Sequence, residues 1–70
     1  MKISKTYEVW TGGDMVVDYV GRDYAMKTAR EEMERELKEH PEDPADVVVD
    51  EIIHYSLETM EDVDKLEETL

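Results

Sequence analysis

Two adjacent glycines, Gly12-Gly13, lie between two runs rich in β-branched and aromatic residues, and they constrain the fold more than any other feature of the chain. Glycine reaches positive φ at little cost, which is what a tight reversal of the backbone needs. The stretch KTYEVWTGGDMVVDYVG, residues 5–21, therefore predicts a β-hairpin. Loop length then decides which side chains share a face. A two-residue turn pairs Val9 with Val16. A three-residue loop, Gly12 to Asp14, pairs Val9 with Val17 and Tyr7 with Tyr19. The second register gathers Ile3, Tyr7, Val9, Met15, Val17 and Tyr19 on one face and leaves Thr6, Glu8, Trp10, Val16, Asp18 and Val20 on the other. A slip of one residue exchanges the faces, so the cleaner separation favours the three-residue loop.

Gly21-Arg22 ends the second strand, and Asp23 suits a helix N-cap. Met26, Ala29, Met33 and Leu37 recur at helical spacing and predict one apolar stripe. The other side pairs Lys27 with Glu31, Glu31 with Arg35, Glu34 with Lys38 and Arg35 with Glu39 at i,i+4. His40-Pro41 stops the helix, because proline disfavours α geometry at the residue before it. After the polar loop HPEDPAD comes VVVDEIIHYS, whose β-branched content favours a strand. A helix is the rival there, since Val48, Val49, Ile52, Ile53 and Ser56 also fit its period. As a strand, it places Val47, Val49, Glu51, Ile53, Tyr55 and Leu57 on one face.

The last stretch, LETMEDVDKLEETL, holds six carboxylates and one lysine. Leu57, Met60, Val63, Leu66 and Leu70 sit three or four apart within it, so it predicts a short amphipathic helix with Thr59 as N-cap and Lys65 paired with Glu61. So short a helix is marginal alone and needs something to dock on. Packing Val63 and Leu66 over Trp10 is the expected arrangement, with an exposed binding or dimer surface at Trp10 as the other possibility. The order β-β-α-β-α predicts an α+β fold over residues 1–70, a single compact domain. Its three-stranded sheet has the order 2-1-3, the long helix lies on one face, and the short C-terminal helix completes the chain.

The charge is lopsided. Twenty acidic and eight basic residues give a net of −12. Residues 1–40 carry seven basic and nine acidic groups, and residues 41–70 carry one and eleven. Direct binding to nucleic acid is disfavoured, since affinity for a polyanion comes from Lys and Arg neutralising phosphates. The chain has no cysteine, so disulfides and thiolate metal sites are excluded. No apolar run approaches the roughly 18 residues of a membrane span. Met1 to Tyr7 lacks the apolar core of a signal peptide, so a cytoplasmic location is the expectation.

Chemistry-bearing patterns are weak. Glu51-x-x-His54 places two ligand types on opposite faces of a strand, and His40 and His54 are the only histidines, fewer ligands than zinc usually takes. Asp43, Asp46 and Asp50 lack the spacing of a calcium loop. The carboxylates Glu31, Glu32, Glu34, Glu36, Asp62 and Asp64 fall on expected solvent faces, without the contrasting environments that acid–base catalysis requires. Ser4 and Ser56 lack a nucleophile context, and Gly12-Gly13 precedes Asp14 rather than a helix that could hold phosphate. The expectation is a non-enzymatic protein with no cofactor and no metal.

What remains is recognition of a basic, nucleic-acid-handling protein by carboxylates that imitate phosphates. Contact candidates are Glu42, Asp43, Asp46, Asp50, Glu58, Glu61, Asp62, Asp64, Glu67, Glu68 and Trp10. In composition the chain is similar to small phage and mobile-element inhibitors of the anti-restriction and anti-CRISPR kind, although no motif assigns it to a family. The alternative is a homodimerising or adaptor module that pairs through a sheet edge and the Trp10 face.

Overall fold

The computed structural model describes residues 1–70. Strands β1 (Lys2–Thr11) and β2 (Asp14–Val20) form the hairpin, followed by helix α1 (Arg22–Glu39), strand β3 (Val47–Ser56) and helix α2 (Met60–Thr69). The sheet order is β2-β1-β3, with β1 antiparallel to both neighbours, so the α+β architecture and the strand order expected from the sequence are both present. The ambiguous run 47–56 is a strand.

The hairpin departs from the expected loop. Thr11 pairs with Asp14 and Trp10 with Met15, which makes Gly12-Gly13 a two-residue turn with φ of 58° and 87°. Positive φ at both central positions matches the twist of the flanking strands. Two irregularities then shift the ladder, so that Val9 opposes Val17 and Tyr7 opposes Val20. Each inserts one extra residue into β2, the action of a β-bulge. Met15 therefore shares the face of Trp10, and Val20 joins the face of Tyr7. Tyr19, the expected partner of Tyr7, adopts φ 58° and turns outward until it is 74% exposed. The bulges reconcile a tight turn with burial of Val9, Val17 and Val20 on one side.

Helix α1 lies over that side. Val9, Ala25 and Ala29 are its buried centre, with Tyr7, Val17, Val20, Val47 and Val49 packed around them. The helix is rotated from the expected stripe. Ala25, Ala29, Glu32 and Glu36 face inward, while Met26 and Leu37 are about half exposed and Met33 is partly buried. Alanines let the helix approach Val9 closely, which the methionines would prevent. Its N-cap is Gly21 with no side-chain cap bond, and the expected cap, Asp23, sits in the first turn paired with Arg22. None of the four expected i,i+4 pairs forms in α1, whose carboxylate–arginine pair is Arg35–Glu32 at i,i+3, 2.7 Å.

The molecule is elongated, 52 × 19 × 15 Å, with a radius of gyration of 16.6 Å. A compact chain of this length has a radius of about 11 Å. Two features produce the length. Helix α1 covers one half of the sheet, so β1 and β3 continue as a ribbon from Lys2–Thr6 and Ile52–Ser56. Helix α2 then projects from the ribbon's end and packs on none of the other elements, so it covers neither Trp10 nor the α1 face. No helix is long and apolar enough to cross a membrane.

Candidate functional site

Residues on β1 and β3 that oppose one another share a face. Trp10 opposes Val48, Glu8 opposes Asp50, and Thr6 opposes Ile52. These side chains point away from α1, and no helix covers them. At the hairpin end this bare face forms a shallow hollow lined by Trp10, Gly12, Gly13, Asp46, Val48 and Asp50. The half-buried Trp10 ring is oriented by its indole N–H, which donates to Glu8 Oε1 at 3.0 Å. The loop supplies Asp46 because its backbone is tied to the turn. The Gly12 amide donates to the Asp46 carbonyl at 3.0 Å, and the Ala45 amide donates to Glu36 Oε1 at 2.8 Å. An aromatic plane rimmed by two aspartates suits a guanidinium or ammonium group, which gains from both the ring face and the carboxylates.

The sequence candidates fall into two groups. Trp10, Asp46 and Asp50 meet at this hollow, with Glu42 and Asp43 exposed on the neighbouring loop. Glu58, Glu61, Asp64, Glu67 and Glu68 are exposed at the ribbon's far end, in or beside α2. Asp62 lies there too but turns inward. Its carboxylate accepts from the Glu58 amide at 3.0 Å and pairs with the terminal ammonium of Met1 at 3.2 Å. Those two interactions hold its carboxyl below the ordinary aspartate range, against the opposing effect of burial. Thr59 Oγ1 accepts from the Asp62 amide at 3.1 Å, so Thr59 and Asp62 cap α2 reciprocally.

Two more carboxylates expected in solvent are buried. Glu32 accepts from Thr11 Oγ1 at 3.0 Å and from Arg35, and Glu36 holds the Ala45 amide. No buried side-chain polar atom lacks a partner. Across the sheet, Tyr7 donates to Glu51 at 2.9 Å, and that bond, then burial and the carboxylate's charge, raise the phenol's pKa against a smaller lowering by Arg22. Thr6 Oγ1 lies 2.7 Å from His54 Nε2, and the Tyr19 ring leans over the same histidine with centroids 5.5 Å apart. Glu51 and His54 occupy opposite faces. The sequence reading missed Glu36, Glu39 and His40 at the end of α1, whose ligand atoms lie within 4.8 Å of one another. Their i, i+3, i+4 spacing was the available signal. Glu36 is already engaged with Ala45 and the other two are exposed, so the cluster carries no assignment.

Five of the twenty carboxylates take part in ion pairs, namely Asp23, Glu32, Glu51, Glu61 and Asp62. Of the rest, Glu36 holds the Ala45 amide and Glu8 accepts from the Trp10 indole, and the others are left to solvent or a partner. No family model, curated protein or solved structure matches the chain.

Proposed function

We propose that this chain is a non-enzymatic, phosphate-mimicking binding protein that occupies the basic surface of a nucleic-acid-handling protein. The Trp10 hollow receives an arginine or lysine of that partner. Asp46, Asp50, Glu42 and Asp43 surround the contact, and the α2 carboxylates extend the acidic field along the molecule. The carrying observation is the placement of Trp10: a tryptophan on a helix-free sheet face, rimmed by carboxylates. Tryptophan is enriched at binding hot spots, while rim charges act mostly on association rate. An inhibitor of phage or mobile-element type, acting in the cytoplasm against a DNA-handling enzyme, is the biological setting this chemistry suits.

The test is affinity capture from lysate at low salt on the immobilised protein, eluted by a salt gradient and by duplex DNA, with a Trp10→Ala column beside it. A basic nucleic-acid-binding protein that both eluants release and the variant fails to hold is the expected result. A retained protein indifferent to salt and to DNA would remove the proposal.

A further inference from the structure

The two edges of the sheet are unlike. The β2 edge is bulged twice and bent by Tyr19, devices that blunt an edge against pairing. The β3 edge has neither. Its ladder with β1 runs through ten consecutive pairs, Lys2↔Ser56 to Thr11↔Val47, with no shift. No strand pairs with its outer side. Above that edge lies an apolar groove between α1 and β3, lined chiefly by Met26, Ala29, Met33, Leu37, Val47 and Val49. Met26, Met33 and Leu37 of the α1 stripe are left out of the chain's own core, which takes Ala29. Further along β3 the same face is bare: Ile53 is 43% exposed and Ile3, which opposes Tyr55 one pair further along the ribbon face, is 60% exposed.

We infer that the β3 edge and the α1–β3 groove form the seam of a two-fold dimer of this chain, with Ile52 opposite Ile52 of the second copy. Two copies of one strand pair antiparallel about a two-fold axis normal to the sheet, so opposing residue numbers have a constant even sum. Centring on Asp50 or Glu51 places like charges directly opposite, which is destabilising. Centring on Ile52 places Asp50 opposite the second copy's His54, Glu51 opposite its Ile53, and Val49 opposite its Tyr55. No pair repels, and nine residues per strand, from Val48 to Ser56, take part.

That register also fills the groove. Each α1 covers the Val47–Val49 end of its own β3, away from the axis. The second copy's Tyr55 and Leu57 then run beside Val49 and Val47, under the overhang of Met33 and Leu37. One association covers the methionine stripe, the bare ribbon face and the unpaired edge. It also supplies a need of the single chain, which has three buried apolar residues, Val9, Ala25 and Ala29. Domains this small commonly need help beyond their own core. The Trp10 hollow opens on the other face, and Trp10, Gly12, Gly13 and Asp46 lie outside the seam, which only its Val48 and Asp50 enter. Self-association tests the dimer and partner capture tests the proposed function, so the two can fail separately.

The absence of cysteine makes the register directly testable. Directly opposed residues of an antiparallel pair have Cβ atoms about 4.5–5.5 Å apart, near disulfide reach. Ile52→Cys under mild oxidation by glutathione disulfide is expected to give a covalent dimer, and Asp50→Cys far less of it. In sedimentation equilibrium the unmodified protein is expected to dimerise. Ile52→Lys, on the exposed face, and Met33→Glu, in the groove, should each raise the dissociation constant by about tenfold or more, since each sets unpaired charge in the seam. Circular dichroism of both variants confirms that they fold. A protein that stays monomeric at millimolar concentration overturns the inference, and so does equal crosslinking at Ile52→Cys and Asp50→Cys. The groove would then be open to another protein or left uncovered.

Discussion

Three acidic side chains read as solvent-facing are instead structural, and each is held by a donor that the sequence does not place nearby. Glu32 meets Thr11 from another element, Glu36 meets the backbone of the following loop, and Asp62 meets the chain's first residue. For Asp62 the consequence can be measured. Its folded-state pKa lies below the ordinary value near 3.9. Its stabilisation is therefore complete above that ordinary value and is lost as pH falls through the lower, folded one. The Glu58 amide proton, which Asp62 accepts, should follow this titration with a midpoint below the ordinary aspartate range. A midpoint at or above that range would show that the cap does not persist in solution. Thr59→Ala removes the other half of the reciprocal cap and should destabilise α2 by about 1 kcal/mol, read as faster exchange of its amides.

At the level of elements, the turn and the long helix show where local signals suffice and where they fail. Strand identity, strand order and the end of α1 at His40 followed from β-branched content, glycine and proline. The turn length did not, because two bulges in β2 allow a two-residue turn and a buried Val17 together, and bulges leave little trace in a single sequence. Gly12→Ala should cost about 1–2 kcal/mol, since a non-glycine residue pays this in the left-handed region. Gly13→Ala should also lower the thermal midpoint, because φ of 87° strains any L side chain there although its Cβ would meet nothing within 4 Å, whereas a Cβ at Gly12 would also stand 3.3 Å from the Ala45 Cβ. In α1 the apolar stripe was legible but its destination was not. Ala25 and Ala29 won the inward position because close approach to Val9 buries more than a looser seat on methionines. Ala29→Leu should thus overpack the core and cost about 1–3 kcal/mol in urea unfolding. Met33→Glu should leave the monomer's stability nearly unchanged. A large loss from Met33→Glu in dilute protein would mean that the stripe is already buried within one chain.

For the whole molecule, the competing effects are a small core and a large charge. Six of seventy residues are buried, and three of those six are carboxylates. A folded state with so little apolar interior gains from anything that binds it and not the unfolded chain, and a second copy does so in proportion to concentration. The melting temperature should therefore rise with protein concentration for the unmodified chain and stay flat for Ile52→Lys. Salt separates this self-association from capture of a basic partner. Two bodies of charge −12 repel, and screening relieves the repulsion, so dimerisation should tighten between low and high ionic strength. Attraction between the same carboxylates and a cationic surface is screened by the same ions, so partner binding should weaken over that range. Opposite slopes, measured by sedimentation for the dimer and by surface plasmon resonance for the captured partner, are the expected pair. If both associations strengthened with salt, the interface with the partner would be apolar, and the exposed carboxylates would serve solubility instead of recognition.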